Sequence, residues 1–506
     1  MVLWSKRKRE ENEREQICAP GSDVGHPEGG NRVRSTFRVL SEEEGAQLHE
    51  RTLHILATVG MRVDTSQGRD ILRDAGADVD DDTRIVRFPA TLVEQSLAQA
   101  PRELTLGGRR PGWSHPTGSD RTALVGSGEA PFVRDRVTGE TREAVHADWV
   151  QGLVLNDALD DVGVYWAMVT GAVLGDTLAD EVGYCAAVQR SFSKHVQDSS
   201  ENPAAMAWQL EILDIIFGGR DAVARRHPYS FLLTPISPLV IEEKGADACL
   251  ALRGWDIPVA IMPMPVTGTT APGSLAATVL MANCEVLGCI CLLQAAEPGT
   301  PVIYAATMAT MNTRTGLLAG HAPHSMLQAA VVEMAKYYGL PSMTSCCRSD
   351  HFVPGMQAGY EKALSGLLPL LARPDLFVGP GVLGSTTVWG AEQLVIDCEI
   401  LRTCMRICEG ITTEDRLLAE VIEEVGPGGN FLAQGSTRRA FHEGELFMPE
   451  LGWHDSRNAW DAAGRPDILD QARERVDQLL AEHQPLLLDE AEEGELRRLV
   501  KKARES

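Results

Sequence analysis

The sequence predicts an α/β fold: a (β/α)8 TIM-type barrel with an N-terminal α+β extension and C-terminal helices. Rhythm is the first reason. From about Asp148 onward, short apolar segments bounded by Gly or Pro alternate with helical patterns of about 10–20 residues. Number is the second, since six to eight such units over roughly 270 residues suit a closed barrel better than an open doubly wound sheet. The third is the place of the one Gly-x-Gly-x-x-Gly that follows a strand pattern, at 379–384. It comes at the last predicted strand rather than the first, holds a proline, and has no second βα half after it, so a dinucleotide fold is disfavoured.

The elements follow in order. Residues 1–34 mix charges with Gly, Pro and Asn without a period and are expected to be a disordered tail. An extension over 35–147 opens with Ser41 and Glu44, spaced as a capping box. Leu48, Thr52, Ile55, Leu56 and Val59 then share a helical face, and Gly60 stands where a helix would stop. A helix over 66–75, a turn over 76–82 and a strand over 84–88 come next; Pro89 opens another helix, which Pro101 closes. Residues 107–120 are turn-rich, and 133–142 read as a hairpin about Thr138 and Gly139.

The barrel is expected over 148–425, with strands at 162–166, 229–234, 258–263, 300–305, 341–345 and 376–381. Helices fall at 178–191, 206–217, 241–255, 274–296, 324–338, 357–371 and 391–410. The segment 426–506 supplies a Gly-rich loop and two charged helices, at 466–483 and 489–504, that pack on the barrel. The helix at 274–296 carries Glu285 as its single charge and is long enough to span a membrane. Asn283, Glu285 and Gln294 interrupt it, and helix start and stop signals flank it, so it reads as a buried core helix.

Composition narrows the function. Hydrophobic residues at 44% and charged residues at 23% are those of a globular protein. Asp and Glu outnumber Lys and Arg by 71 to 47, a net charge of −24, which argues against nucleic acid or an anionic membrane as partner. Eleven cysteines without paired CxxC spacing suggest buried thiols in a reducing compartment, and the N-terminus lacks the apolar run of a secretory signal. A cytoplasmic location is expected.

In a barrel, reactive groups come from the C-terminal ends of the strands. The predicted ends are rich in aromatics, sulfur and small residues, with no pair of carboxylates placed as general acid and base, no P-loop and no Gly-x-Ser-x-Gly elbow. Their densest polar stretch is 345–352, where Arg348, Asp350 and His351 either line the barrel mouth or decorate a surface loop. Cys346 and Cys347 with His351, and His324 if the fold brings it near, raise the option of zinc. The aromatic rings of Tyr165, Trp166, Tyr304 and Trp389 either pack against the rim or hold a quaternary ammonium by cation–π attraction.

At 258–304 the text PVAIMPMPVTGTTAPGSLAATVLMANCEVLGCICLLQAAEPGTPVIY resembles the trimethylamine methyltransferase family. The resemblance continues in KYYGLPSM (336–343), QAGYEK (357–362), EQLVIDCEI (392–400) and GPGGNFL (426–432). Upstream it includes HILATVGMRV (54–63), DRVTGETREAVHAD (135–148) and SKH (193–195), so it covers about 37–485. It implies a (β/α)8 barrel that moves a methyl group from an amine nitrogen to the cobalt of a separate corrinoid protein. Founding members carry pyrrolysine at about the strand end 345–347, where this chain has ordinary residues. The non-pyrrolysine branch is associated with quaternary amines such as glycine betaine. Two departures lie at the expected mouth: His324 where many relatives have an acidic residue, and the altered loop 347–355.

The expected function is therefore corrinoid-dependent N-methyl transfer from a quaternary, or tertiary, methylamine such as a betaine. The alternatives are a non-catalytic betaine-binding barrel and a zinc methyltransferase using Cys346 and Cys347. The expected substrate-binding residues are Tyr165, Trp166, Tyr304, Arg314, His324, Cys346, Arg348, His351, Gln357 and Trp389, with Arg348 or Arg314 pairing with a substrate carboxylate. No catalytic residue and no metal ligand is assigned. Cobalamin is expected on the partner only, and the chain is expected to form a homo-oligomer.

Overall fold

The structure, a computed structural model, describes residues 37–505 apart from 120, 127, 170–174, 176, 200, 201, 321, 412 and 414–416. The expected tail at 1–34 lies outside the described residues. Eight parallel strands close into a barrel in sequence order. They are β1 (Ala123–Val125), β2 (Val162–Tyr165), β3 (His195–Asp198), β4 (Tyr229–Leu233), β5 (Val259–Ile261), β6 (Val302–Ala306), β7 (Ser342–Ser345) and β8 (Leu376–Val378).

Two of these staves differ from the sequence reading. β1 is three residues long between turn-rich stretches, and it falls within the segment expected as the extension, so the expected boundary at 147/148 cuts the barrel. β3 reads His-Val-Gln-Asp and has no apolar run to mark it. Five of the other six lie inside their predicted ranges, and β6 runs one residue past its own, to Ala306.

Side chains alternate along the staves. Val125, Val164, Leu232, Ile303, Met343 and Val378 pack together inside, while Val196, Phe231, Tyr304 and Phe377 join the larger core under the helices. A hairpin of Thr105–Gly107 and Ser114–Pro116 stops the lower end of the lumen, where Leu104 and Leu106 join the inner cluster.

The extension is a sheet of Met61–Val63, Ile85–Arg87 and Asp78–Asp80, extended by Val240–Ile241 from the chain after β4. Its helices, Glu42–Thr58, Ser66–Asp74 and Ala90–Gln99, pack around Leu275–Ala296. This last helix is long and apolar enough to cross a membrane by length and composition, yet it is a core helix. Its polar residues are satisfied from neighbouring elements. Asn283 donates to the Thr52 and Tyr338 hydroxyls and accepts from Tyr304; Glu285 accepts from the Ser237 hydroxyl and the Leu239 N–H.

A second small sheet joins the hairpin Phe132–Arg134 and Thr141–Glu143 to Val388–Trp389 and Val382–Leu383, the segments that follow β8. At the C-terminus, Ile468–Glu482 packs on His146–Ala158, and Glu490–Glu505 packs on Leu178–Ser191 and Pro203–Phe217. Among the described residues, 409–446 cluster as a compact unit of their own with two short helices, Ala419–Val425 and Gly435–His442.

Candidate active site

The chain leaves β7 through a sharp turn. Cys347 has left-handed backbone, φ 59°, uncommon for a residue with a Cβ. Arg348 follows, and only 7% of it is exposed. One guanidinium nitrogen, Nη2, donates to the Thr307 hydroxyl after β6 at 2.7 Å and lies 3.4 Å from the Ser345 hydroxyl; Nε has no partner. Burial lowers the pKa of this guanidinium, against the opposing pull of Cys346 and Asp350.

His324 lies beside it on the helix Ala322–Tyr338, fully buried. Its Nδ1 donates to the Met308 carbonyl at 2.8 Å, which leaves Nε2 a bare acceptor without a partner. Burial, and then the charge of Arg348, push its pKa down to about 3, so the ring is neutral.

A buried ion pair holds this corner. Lys362 Nζ donates to the Cys347 carbonyl at 2.8 Å and to Asp397 at 2.7 Å, and Asp397 also accepts the Gly381 N–H at 2.7 Å. The exits of β7 and β8 are thereby tied to one charged pair. The Gly-x-Gly-x-x-Gly at 379–384 is part of this turn, with Gly379 at φ 140° where a Cβ would overlap the Cys346 carbonyl oxygen. Close approach of backbone explains the glycine, and no nucleotide need be invoked.

Across the mouth stands Trp166, after β2, packed on the inner cluster with its indole N–H unpartnered. Gly128 makes room for it: a Cβ there would meet the ring at 3.1 Å. Asp198 ends β3 on the outward side it shares with Val196, beside the Tyr184 hydroxyl of the helix Leu178–Ser191, and burial followed by the charge of Glu129 pushes its carboxyl up to about 7. Glu129 follows β1. β1 is three residues long between turn-rich stretches and β3 carries no apolar run, so nothing in the sequence marks their exits. Lower in the lumen His195 bonds the Ser230 hydroxyl through Nε2 at 2.9 Å, and Gln197 lies 3.5 Å from the Met343 sulfur. The His in SKH (193–195) was the available signal for this network.

Several expected residues stand elsewhere. Tyr165 and Tyr304 point outward, because strand alternation sets them opposite the lumen-facing Val164 and Ile303. Tyr165 bonds Trp149 and Tyr184, and Tyr304 bonds Asn283. Trp389 is buried in the rim sheet over Gly381 rather than with Trp166, so the four aromatics do not form one box. Arg314 is exposed on the hairpin turn between Ala309–Met311 and Leu318–Ala319. His351 bonds the Val353 carbonyl and Gln357 bonds Glu361, so both serve the loop itself. Cys346 turns away from the lumen into the outer core, where burial pushes its thiol up to about 12. Among the described residues no group of three or more His, Cys, Asp or Glu is placed to hold a metal ion, so the pairing of Cys346 and Cys347 with His351 or His324 is not assembled.

Comparison with known proteins assigns the chain to a family. Residues 6–506 match the family described as trimethylamine methyltransferase (MTTB). A trimethylamine methyltransferase of Desulfitobacterium hafniense is 30% identical over 463 residues, covering 91% of this chain and 93% of that protein. A glycine betaine methyltransferase of the same species is 28% identical over 472 residues, covering 92% and 96%. The solved monomethylamine methyltransferase of Methanosarcina barkeri aligns over 88% of this chain and 96% of its own at 11% identity, with a TM-score of 0.42.

Proposed function

Because the chain belongs to the trimethylamine methyltransferase family, we propose that it moves a methyl group from a quaternary, or tertiary, methylamine such as a betaine to the cobalt of a separate corrinoid protein. It is an enzyme of methyl transfer. The cobalt is the acceptor substrate and belongs to the partner. What supports the quaternary reading most is Trp166, an aromatic face at the barrel mouth of the kind that attracts a permanent cation.

A quaternary nitrogen already carries the positive charge that makes it a leaving group. Attack on the methyl carbon forms the carbon–cobalt bond, and the breaking carbon–nitrogen bond leaves its electron pair on the amine, so no proton is needed. The chain's task is then to hold the ammonium with one methyl directed at the open end of the lumen and to exclude water. Trp166 would face the ammonium. A tertiary amine would additionally need a proton on nitrogen.

The test is to mix the purified chain with a corrinoid protein reduced to cobalt(I) and offer trimethylamine, tetramethylammonium, choline and glycine betaine in turn. Methyl–cobalt should appear in the visible spectrum with at least one quaternary amine. Failure with all four would contradict the reading.

A further inference from the structure

We propose that residues 409–446 are an arm exchanged between two copies of this chain, each arm lying on the helix Met356–Leu371 of the other copy. The proposal stands apart from the reaction and from the identity of the substrate.

The arm has a shape but no core. After Cys408 the next buried residue is Leu451, and none of the described residues between them is buried. The stretch holds Ile411, Leu417, Ile422, Leu432, Phe441 and Leu446, each more than half exposed. Its conformation is nevertheless specified locally. Gly426 and Gly428 turn at positive φ, 63° and 77°, and the Thr437 hydroxyl donates to the Phe431 carbonyl at 2.8 Å. Its two helices are seven and eight residues long, below the length at which a helix holds in water without packing. Such a segment needs apolar cover whenever the chain is folded, which calls for a permanent occupant.

A matching surface stands on the same chain. The helix Met356–Leu371 buries Ala358, Lys362, Ser365 and Pro369 and packs on Ala322–Tyr338. Met356, Tyr360 and Leu364, at i, i+4 and i+8, form an uncharged stripe that is 91%, 55% and 65% exposed, and the exposed Phe352 and Val353 precede it. In a single chain, arm and stripe both stay exposed. A chain that displays the two together is complementary to itself, and closing the pair twice about a two-fold axis leaves neither in water. Exchange of two arms would bury on the order of 2,000 Å² of apolar side chain, the size of a stable interface. With a net charge of −24 on each copy the two repel, so apolar area has to supply the association.

The experiment is sedimentation velocity on the full chain, without any corrinoid protein, over a range of concentrations. The unmodified chain should be a dimer, or a larger assembly of dimers, at micromolar concentration. Leu432→Asp with Phe441→Asp in the arm, or Met356→Asp with Leu364→Asp in the stripe, should each weaken association by about a hundredfold or more. These side chains are exposed in the single chain, so far-ultraviolet circular dichroism should stay unchanged and exclude misfolding. An equimolar mixture of the arm variant and the stripe variant should recover a dimer weaker than the original, because one intact arm then meets one intact stripe. A monomeric unmodified chain, either variant associating as the unmodified chain does, or a mixture no more associated than its components would each overturn the exchange. A monomer whose arm is shielded from proteolysis only by an added corrinoid protein, or only while residues 1–36 are present, would overturn it as well and assign the arm to that occupant.

Discussion

Tyr165 commits its hydroxyl to Trp149 and Tyr184, while its neighbour Trp166 leaves an indole N–H unused at the barrel mouth. Their substitutions should therefore separate. Trp166→Ala is expected to weaken binding of a quaternary ammonium by about 0.5–2 kcal/mol. Tyr165→Phe should cost about 1 kcal/mol of stability through its lost hydrogen bonds and leave ligand affinity unchanged. Titration calorimetry and urea unfolding on both variants check this; a ligand defect in Tyr165→Phe with none in Trp166→Ala would reverse the assignment. The sequence located both residues at a strand end but did not tell them apart. A stave buried on both faces is apolar on both, so no polar alternation reveals which residue faces the lumen. His324 and Arg348 were legible as mouth residues from position alone. What their surroundings leave unpartnered, Nε2 of His324 and Nε of Arg348, belongs to the fold.

The element that carries the site corner is the pair of exits after β7 and β8, joined by Lys362 and Asp397, both fully buried. Lys362→Met should destabilise the protein by roughly 3–5 kcal/mol, because it leaves Asp397 buried without its counter-ion. Loss of less than about 1 kcal/mol in denaturant unfolding would show that the pair does not hold the turn. The core helix Leu275–Ala296 makes a pH prediction. Burial raises the Glu285 carboxyl from 4.5 to about 7, against the bonds from Leu239 and Ser237 that lower it. Between those values the native protein keeps a proton that the unfolded chain has released. This residue's contribution to stability thus falls as pH rises from about 4.5 to about 7 and is level above that. Glu285→Gln keeps an acceptor for the Leu239 N–H and offers an amide to the Ser237 hydroxyl. From pH 5 to 8 the unmodified protein should lose stability relative to this variant, on the order of a few kcal/mol. Identical pH profiles in urea unfolding would contradict it. Of the polar residues that argue from sequence against a membrane span, Asn283 is met by Thr52, Tyr304 and Tyr338, Glu285 by the chain after β4, and Gln294 by Gly299 and Thr300 in the turn that follows the helix.

For the molecule as a whole, the barrel was legible because six staves are short strand-like segments, four of them directly after a proline, and helices separate them. β1 and β3 were not, one too short and the other too polar. The central claim, methyl transfer from a methylated amine to a partner's cobalt, is tested most directly with label. Glycine betaine bearing three N-trideuteromethyl groups is incubated with the chain and a cobalt(I) corrinoid protein, and both products are read by mass spectrometry. The account predicts that one methyl arrives on cobalt with all three deuterons, matched mole for mole by the demethylated tertiary amine. Methyl–cobalt that has lost deuterium, or amine bound by the chain but recovered unchanged beside a competent corrinoid protein, would contradict it.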